Sequence, residues 1–184
     1  VNRPAASSTS GSRSRLARLA VAALVVLFAS CGGGGSDDAS TGDGGGNGGG
    51  GGTPPLAGFA TTRIDVDGVE LEVWLAESDA QHRRGFMFVT EDEIAPLPDG
   101  TPRGMLFLFP SDRRLSFFMR DTQVPLDLAY ATADGRIVEV HELAPFDERS
   151  VVAAQPVRYA LEAARGTFAR HGIGVGDRIE IPAR

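Results

Sequence analysis

Between Gly32 and Gly52 the chain places 13 of its 24 glycines, interrupted only by Ser, Asp, Ala, Thr and Asn. A tract without large apolar side chains cannot offset the conformational entropy of ordering itself. It therefore separates an amino-terminal segment from a foldable remainder of about 120 residues, enough for one hydrophobic core. For the roughly 24 residues from Gly32 to Pro55, a Gly-rich coil has an expected r.m.s. span of about 25–30 Å. A catalytic glycine loop is the rival reading, but no phosphate-loop Lys-Ser/Thr or helix follows the tract.

The segment before the tract reads as an export signal. Arg13, Arg15 and Arg18 precede 11 apolar residues from Leu19 to Ala29, the charged and hydrophobic regions of such a signal. The run is too short to cross a bilayer, which takes roughly 20 apolar residues. It closes on Leu27-Phe28-Ala29-Ser30-Cys31, which resembles the lipobox of bacterial lipoproteins, with Phe28 where an aliphatic residue is usual. Cys31 is the only cysteine and is followed by four glycines, so it has neither a disulfide partner nor a core to enter. An acylated attachment point accounts for it, since two acyl chains hold a membrane at ~0.8 kcal/mol per buried methylene. The expected organisation is a lipoprotein-type signal over 1–30, a lipidated cysteine and flexible linker over 31–55, and one domain over 56–184. The expected location is the periplasmic or extracellular side of a bacterial membrane, with that membrane as a partner.

All 18 basic residues are Arg, and four of them precede Cys31, leaving 14 against 24 Asp and Glu, a net of −10 with His neutral. An acidic surface repels phosphate backbones, and no basic stripe interleaved with aromatics is present, so nucleic acid is not the expected partner.

Within the domain, Asp67-Gly68 and Asp134-Gly135 each lie between short runs of β-type residues, the strongest short-range hairpin signal. Apolar residues alternate at Val69, Leu71, Val73 and Leu75. Ser78-Asp79-Ala80-Gln81 predicts a capping box opening a short helix that ends at Gly85. The acidic, Pro/Gly-rich stretch from Glu91 to Arg103 reads as a surface loop. Gly104 to Pro110 is a continuous apolar run, as in a strand buried on both faces. Further strands are expected over Leu115–Arg120, Leu126–Ala131, Arg136–Leu143, Val157–Ala163 and Asp177–Ile181, with a turn or helical piece over Gly166–His171. The sum is a mainly β fold: a single compact sandwich or partly closed barrel with one or two short helices.

In order, Arg83-Arg84-Gly85-Phe86-Met87, Gly104-Met105-Leu106-Phe107, Phe117 through Thr122, Pro125-Leu126-Asp127, Leu161-Glu162 with Gly166, and Gly172 through Asp177 make the region from about Val69 to Ile181 similar to the DUF192 family of small bacterial and archaeal domains. The resemblance implies a jelly-roll-like β fold and supplies no reaction. The family usually carries Trp where this chain has Phe118, and Asn where it has Asp121.

Asp127 and Glu162 are carboxylates in apolar strand segments, where a charge must be paired, hydrogen-bonded or neutralised. Two roles suit them. They could fix the fold by bonding backbone amides or arginines, or line a polar ligand site together with Arg83, Arg120, Asp121 and Thr122. A non-catalytic envelope module binding a small polar ligand or another envelope component is the leading expectation. The alternative is a hydrolytic enzyme, conceivably acting on glycans, that uses Asp127 and Glu162 as acid and base. Glu139 and His141 share a strand face, but two ligands do not make a metal site. With Val138 and Val140 toward the core, they should face solvent. His82 and His171 sit in polar contexts and are expected to be exposed. No cofactor and no metal is expected.

Overall fold

The two Asp-Gly turns and the alternating runs build the sheet that organises this domain. The computed structural model describes residues 55–183. The expected signal, the expected lipidation site at Cys31 and the expected linker as far as residue 54 lie outside the described residues. The first hairpin joins β1 (Ala60–Val66) to β2 (Val69–Ala76). Asp67 and Gly68, both at positive φ (50° and 91°), supply the mirror-image turn that matches strand twist.

A parallel pairing of β2 with β3 (Arg103–Arg113) follows, and parallel neighbours need a crossover. It contains α1 (Asp79–Arg84) and α2 (Glu91–Ile94). Both start with full capping boxes, Ser78 with Gln81 and Thr90 with Glu93. The second lies inside the stretch expected to be a loop; Thr90-x-x-Glu93 was the local signal for it.

The remaining elements are β4 (Ser116–Phe117), β5 (Leu126–Ala131), β6 (Ile137–Leu143), β7 (Val151–Val152), β8 (Val157–Ala164) and α3 (Thr167–His171). Six strands form one mixed sheet in the order β1-β2-β3-β8-β5-β6, and β4 with β7 forms a small second sheet. The fold is mainly β, as expected, with three short helices among the described residues. None of these is long and apolar enough to cross a membrane.

Two expected strands are cut short. Leu115–Arg120 pairs only at Ser116–Phe117, because Met119 N–H turns to the carbonyl of Asp147 and Asp121 takes φ 53°. The closing segment near Asp177–Ile181 makes isolated bridges, Ile179 to Val66 on β1 and Arg178 to Arg136 beside β6. It thereby bridges the last residue of β1 and the residue before β6, on the two edges of the sheet, and covers backbone that would otherwise invite pairing.

Both sheet faces are buried. One carries Ile64, Leu71, Val73, Leu106, Leu108, Ala129 and Leu161, covered by Phe168, Ile173 and Ile179. The other carries Trp74, Met105, Phe107, Leu128, Tyr130 and Ala160, covered by Phe86, Val89, Leu115, Met119 and Ala153. A slip of one residue on β8 would exchange the faces. Its register therefore decides where each carboxylate goes.

Candidate functional site

On β8, Glu162 lies directly across from Met105 of β3 and Leu128 of β5. Directly opposed residues share a face, so the carboxyl stands among Met105, Leu128, Ala160 and Tyr130 rather than at an edge. It is 4% exposed. Its side chain makes no hydrogen bond or ion pair among the described residues, and burial alone pushes its pKa up to about 8. Glu162 is therefore a neutral acid at neutral pH, able to donate as well as accept. Burial, followed by the charges of Glu162 and Glu139, also pushes the Tyr130 phenol up. That hydroxyl donates to the carbonyl of Val151 at 2.7 Å.

Above Glu162 the covering layer leaves a cavity of about 430 Å³. Its apolar wall includes Phe107, Phe117, Met119 and Leu126, and its polar wall includes Arg83, Arg84, Arg113, Arg114 and Arg120. These arginines come from α1, from the end of β3 and the residue after it, and from the segment beyond β4. Guanidinium groups lie over rings in three cases: Arg84 over Phe88 at 5.2 Å, Arg113 over Phe109 at 5.2 Å and Arg120 over Phe118 at 5.3 Å. Stacking holds the cation while leaving its N–H edge available to another partner. Arg120 bonds Glu148 at 2.8 Å. Arg83, Arg84, Arg113 and Arg114 form no ion pair among the described residues, and the buried Nε of Arg84 has no hydrogen-bond acceptor.

His82 lines the same cavity. Its Nε2 lies 3.0 Å from the carbonyl of Ala76 and 3.2 Å from that of Leu108. Two carbonyls can only accept, so Nε2 carries the hydrogen. The ring stacks on Phe109 at 4.2 Å between centroids. The expectation of an exposed, idle His82 is thus corrected: β2 and β3 present their carbonyls beside α1, which no local sequence pattern reveals.

The residues singled out in the sequence divide into two groups. Arg83, Arg120, Thr122 and Glu162 meet at the cavity. Thr122 is buried and its hydroxyl donates to the carbonyl of Arg120 at 3.2 Å, which shapes the turn. Asp121 is exposed beside the cavity, not in its lining, and its carbonyl accepts from Phe88 N–H at 2.8 Å.

Asp127 lies across from Ala163, one residue out of step with Glu162 and hence on the opposite sheet face. There its carboxylate accepts from Phe168 N–H at 2.9 Å, at the start of α3. The acid–base pair does not assemble, because the sheet separates its members. Asp127 is a structural residue that satisfies an otherwise orphaned helix amide.

Glu139 and His141 also depart from expectation. The irregularity between Tyr130 and Ala131 in the β5–β6 pairing places Glu139 opposite Tyr130. His141 then packs edge-on against Tyr130 at 5.7 Å and bonds Glu139 at 3.2 Å. Glu139 also accepts from Ala154 N–H at 2.8 Å, and Val140 is the exposed residue.

Sequence reasoning missed Arg113 and Arg114. The signal available was a second Arg-Arg pair at the far end of the buried strand, 30 residues after Arg83-Arg84. Only the fold brings the two pairs to one opening.

Comparison with known proteins agrees with this fold. The DUF192 family, described as an uncharacterised ACR, matches residues 62–181. A crystal structure of a protein of unknown function from Novosphingobium aromaticivorans is similar at 32% identity and a TM-score of 0.60, covering 70% of this chain and 90% of that one. A candidate transcription regulator from Sinorhizobium meliloti is similar at 30% identity and a TM-score of 0.58, covering 66% of this chain and 94% of that one. No curated protein matches.

Proposed function

The chain belongs to the DUF192 family, and from that premise we propose that it is an envelope lipoprotein whose domain captures a small ligand in the arginine-rimmed cavity. The observation that carries this reading is an unpaired, buried carboxyl, Glu162, at the wall of a cavity of about 430 Å³. Small-molecule sites run from roughly 300 to 1,000 Å³, with apolar walls and a few convergent polar groups. A neutral acid held without a partner lowers stability unless something else uses it, and perturbed acids concentrate at functional sites.

The anchor follows from the residues at 13–31, and the linker would let the domain sample ligands near a membrane surface. Hydrolysis by two carboxylates finds no support, since Asp127 and Glu162 face apart. The description of the Sinorhizobium relative as a regulator finds little support in charge. Residues 56–184 carry 14 Arg against 21 Asp and Glu, a net of −7, and the clustered arginines line a concavity rather than a convex stripe.

The test is a small-molecule screen by thermal unfolding on the full chain, repeated with Ser116→Trp. Ser116 lies at the cavity on β4, so the indole should narrow its opening. Compounds that bind should raise Tm in the parent and not in the variant. A screen without any stabilising compound, or stabilisation that Ser116→Trp leaves intact, would remove the cavity from the function.

A further inference from the structure

The cavity's charge and shape specify its ligand more narrowly than smallness. We propose that the ligand is an organic oxyanion with an apolar body, its carboxylate or phosphate held at the arginine rim and its far end bonded by Glu162; this rests on the binding reading above.

Three observations support it. First, the five arginines at the opening belong to a domain that is acidic as a whole. Four of them lack an ion-pair partner among the described residues, although the domain has acidic side chains in excess. Arginine forks match carboxylate and phosphate geometry, and their stacked placement on Phe88 and Phe109 reduces the freedom lost on binding.

Second, the wall between rim and Glu162 is apolar and aromatic. Phe107 and Phe117 meet edge to face at 4.8 Å, with Met119 and Leu126 beside them. Hydrated inorganic phosphate would leave these surfaces facing water. A ring or short alkyl body would cover them, at roughly 25 cal/mol per Å² of apolar surface removed from water.

Third, the polar group set into the sheet is an acid rather than a base or an amide. Held neutral by its surroundings, it donates to a hydroxyl, ether or carbonyl oxygen without placing a second negative charge opposite the first. A cationic ligand would meet the guanidinium cluster before it reached Glu162.

Two sources share this chemistry: a soluble aromatic or short-chain acid, and the cleaved head end of a lipid. The experiment uses the full chain carrying Cys31→Ser, titrated by calorimetry at pH 6.5 with 4-hydroxybenzoate, 4-hydroxybenzamide and 4-hydroxybenzylamine. These three share one ring and hydroxyl and differ in charge. Octanoate and dihexanoyl phosphatidic acid, below its micellar concentration, represent the lipid source. The expected result is that at least one anion binds tenfold or more tightly than the amide, and that the amine does not bind. The double substitution Arg113→Gln, Arg114→Gln should weaken that anion at least tenfold while its thermal unfolding stays near the parent's.

The aromatic arm binding alone would assign a soluble acid, and the aliphatic arms alone a lipid fragment. Amide and anion binding equally, or the amine binding best, would overturn the oxyanion class while leaving the cavity a binding site. Failure of all five probes together with a blank thermal screen would overturn both readings.

Discussion

Replacing Glu162 by Gln should stabilise this protein, and the gain should grow with pH. Glu162 has a pKa of about 8 in the fold against 4.5 for the free side chain, raised by burial. Between these values the native state holds a proton that the unfolded chain releases, so stability falls as pH rises through this window and levels off above 8. Each pKa unit corresponds to about 1.4 kcal/mol. The penalty is therefore below about 1 kcal/mol at pH 5, about 3 kcal/mol at pH 7 and about 5 kcal/mol at pH 9. Glutamine keeps the size and hydrogen-bonding capacity but has no proton to lose. At roughly 4 °C per kcal/mol for a domain of this size, Glu162→Gln should unfold about 12 °C higher at pH 7 and within a few degrees of the parent at pH 5. Thermal unfolding followed by circular dichroism at pH 5, 6, 7, 8 and 9 measures the difference, in which every other titrating group cancels. A difference that stayed constant with pH, or a variant less stable throughout, would show that Glu162 is ionised and paired in solution.

Other perturbations separate scaffold from site. Asp127→Ala orphans the Phe168 N–H that it now satisfies and should cost about 1–3 kcal/mol in urea unfolding, whereas Asp127→Asn, which keeps an acceptor oxygen, should recover most of this. Gly104→Ala would set a Cβ 2.5 Å from the carbonyl oxygen of Glu162 across the β3–β8 pairing; the expected loss is about 1–3 kcal/mol from overpacking, read as a lower urea midpoint. Cys31→Ser should move the protein from the membrane to the soluble fraction of its native host and abolish acyl mass on the chain, both read from fractionated cells by mass spectrometry.

Much of the fold could be read locally. Asp67-Gly68 names its hairpin because a mirror-image turn needs positive φ at both central residues, while the longer turn after β5 needs it only at Gly135 (82°); both requirements are settled within a few residues. The run from Gly104 to Phe109 announces a strand buried on both sides because every residue is apolar, so either face can be covered. Ser78 with Gln81 sets the start of α1 through bonds spanning three residues. The segments that misled are those whose state depends on remote partners. Leu115–Arg120 has strand composition but pairs at two residues, since Met119 N–H bonds Asp147 instead. The irregular β5–β6 pairing reversed the expected faces of Glu139 and Val140.

For the candidate site, sequence alone identified the unusual residues: two carboxylates in apolar strands, Arg83 and Arg120 as candidate ligand partners, and one cysteine after a short apolar run. Tertiary structure decided their roles. Pairing register sent Asp127 to one face and Glu162 to the other, although each sits in an apolar segment that looks much like the other's. It also brought Arg83-Arg84 and Arg113-Arg114 to one opening with His82. The physical reason is that a side chain's chemistry is its own, while its solvation, partners and protonation belong to neighbours that arrive from distant parts of the chain.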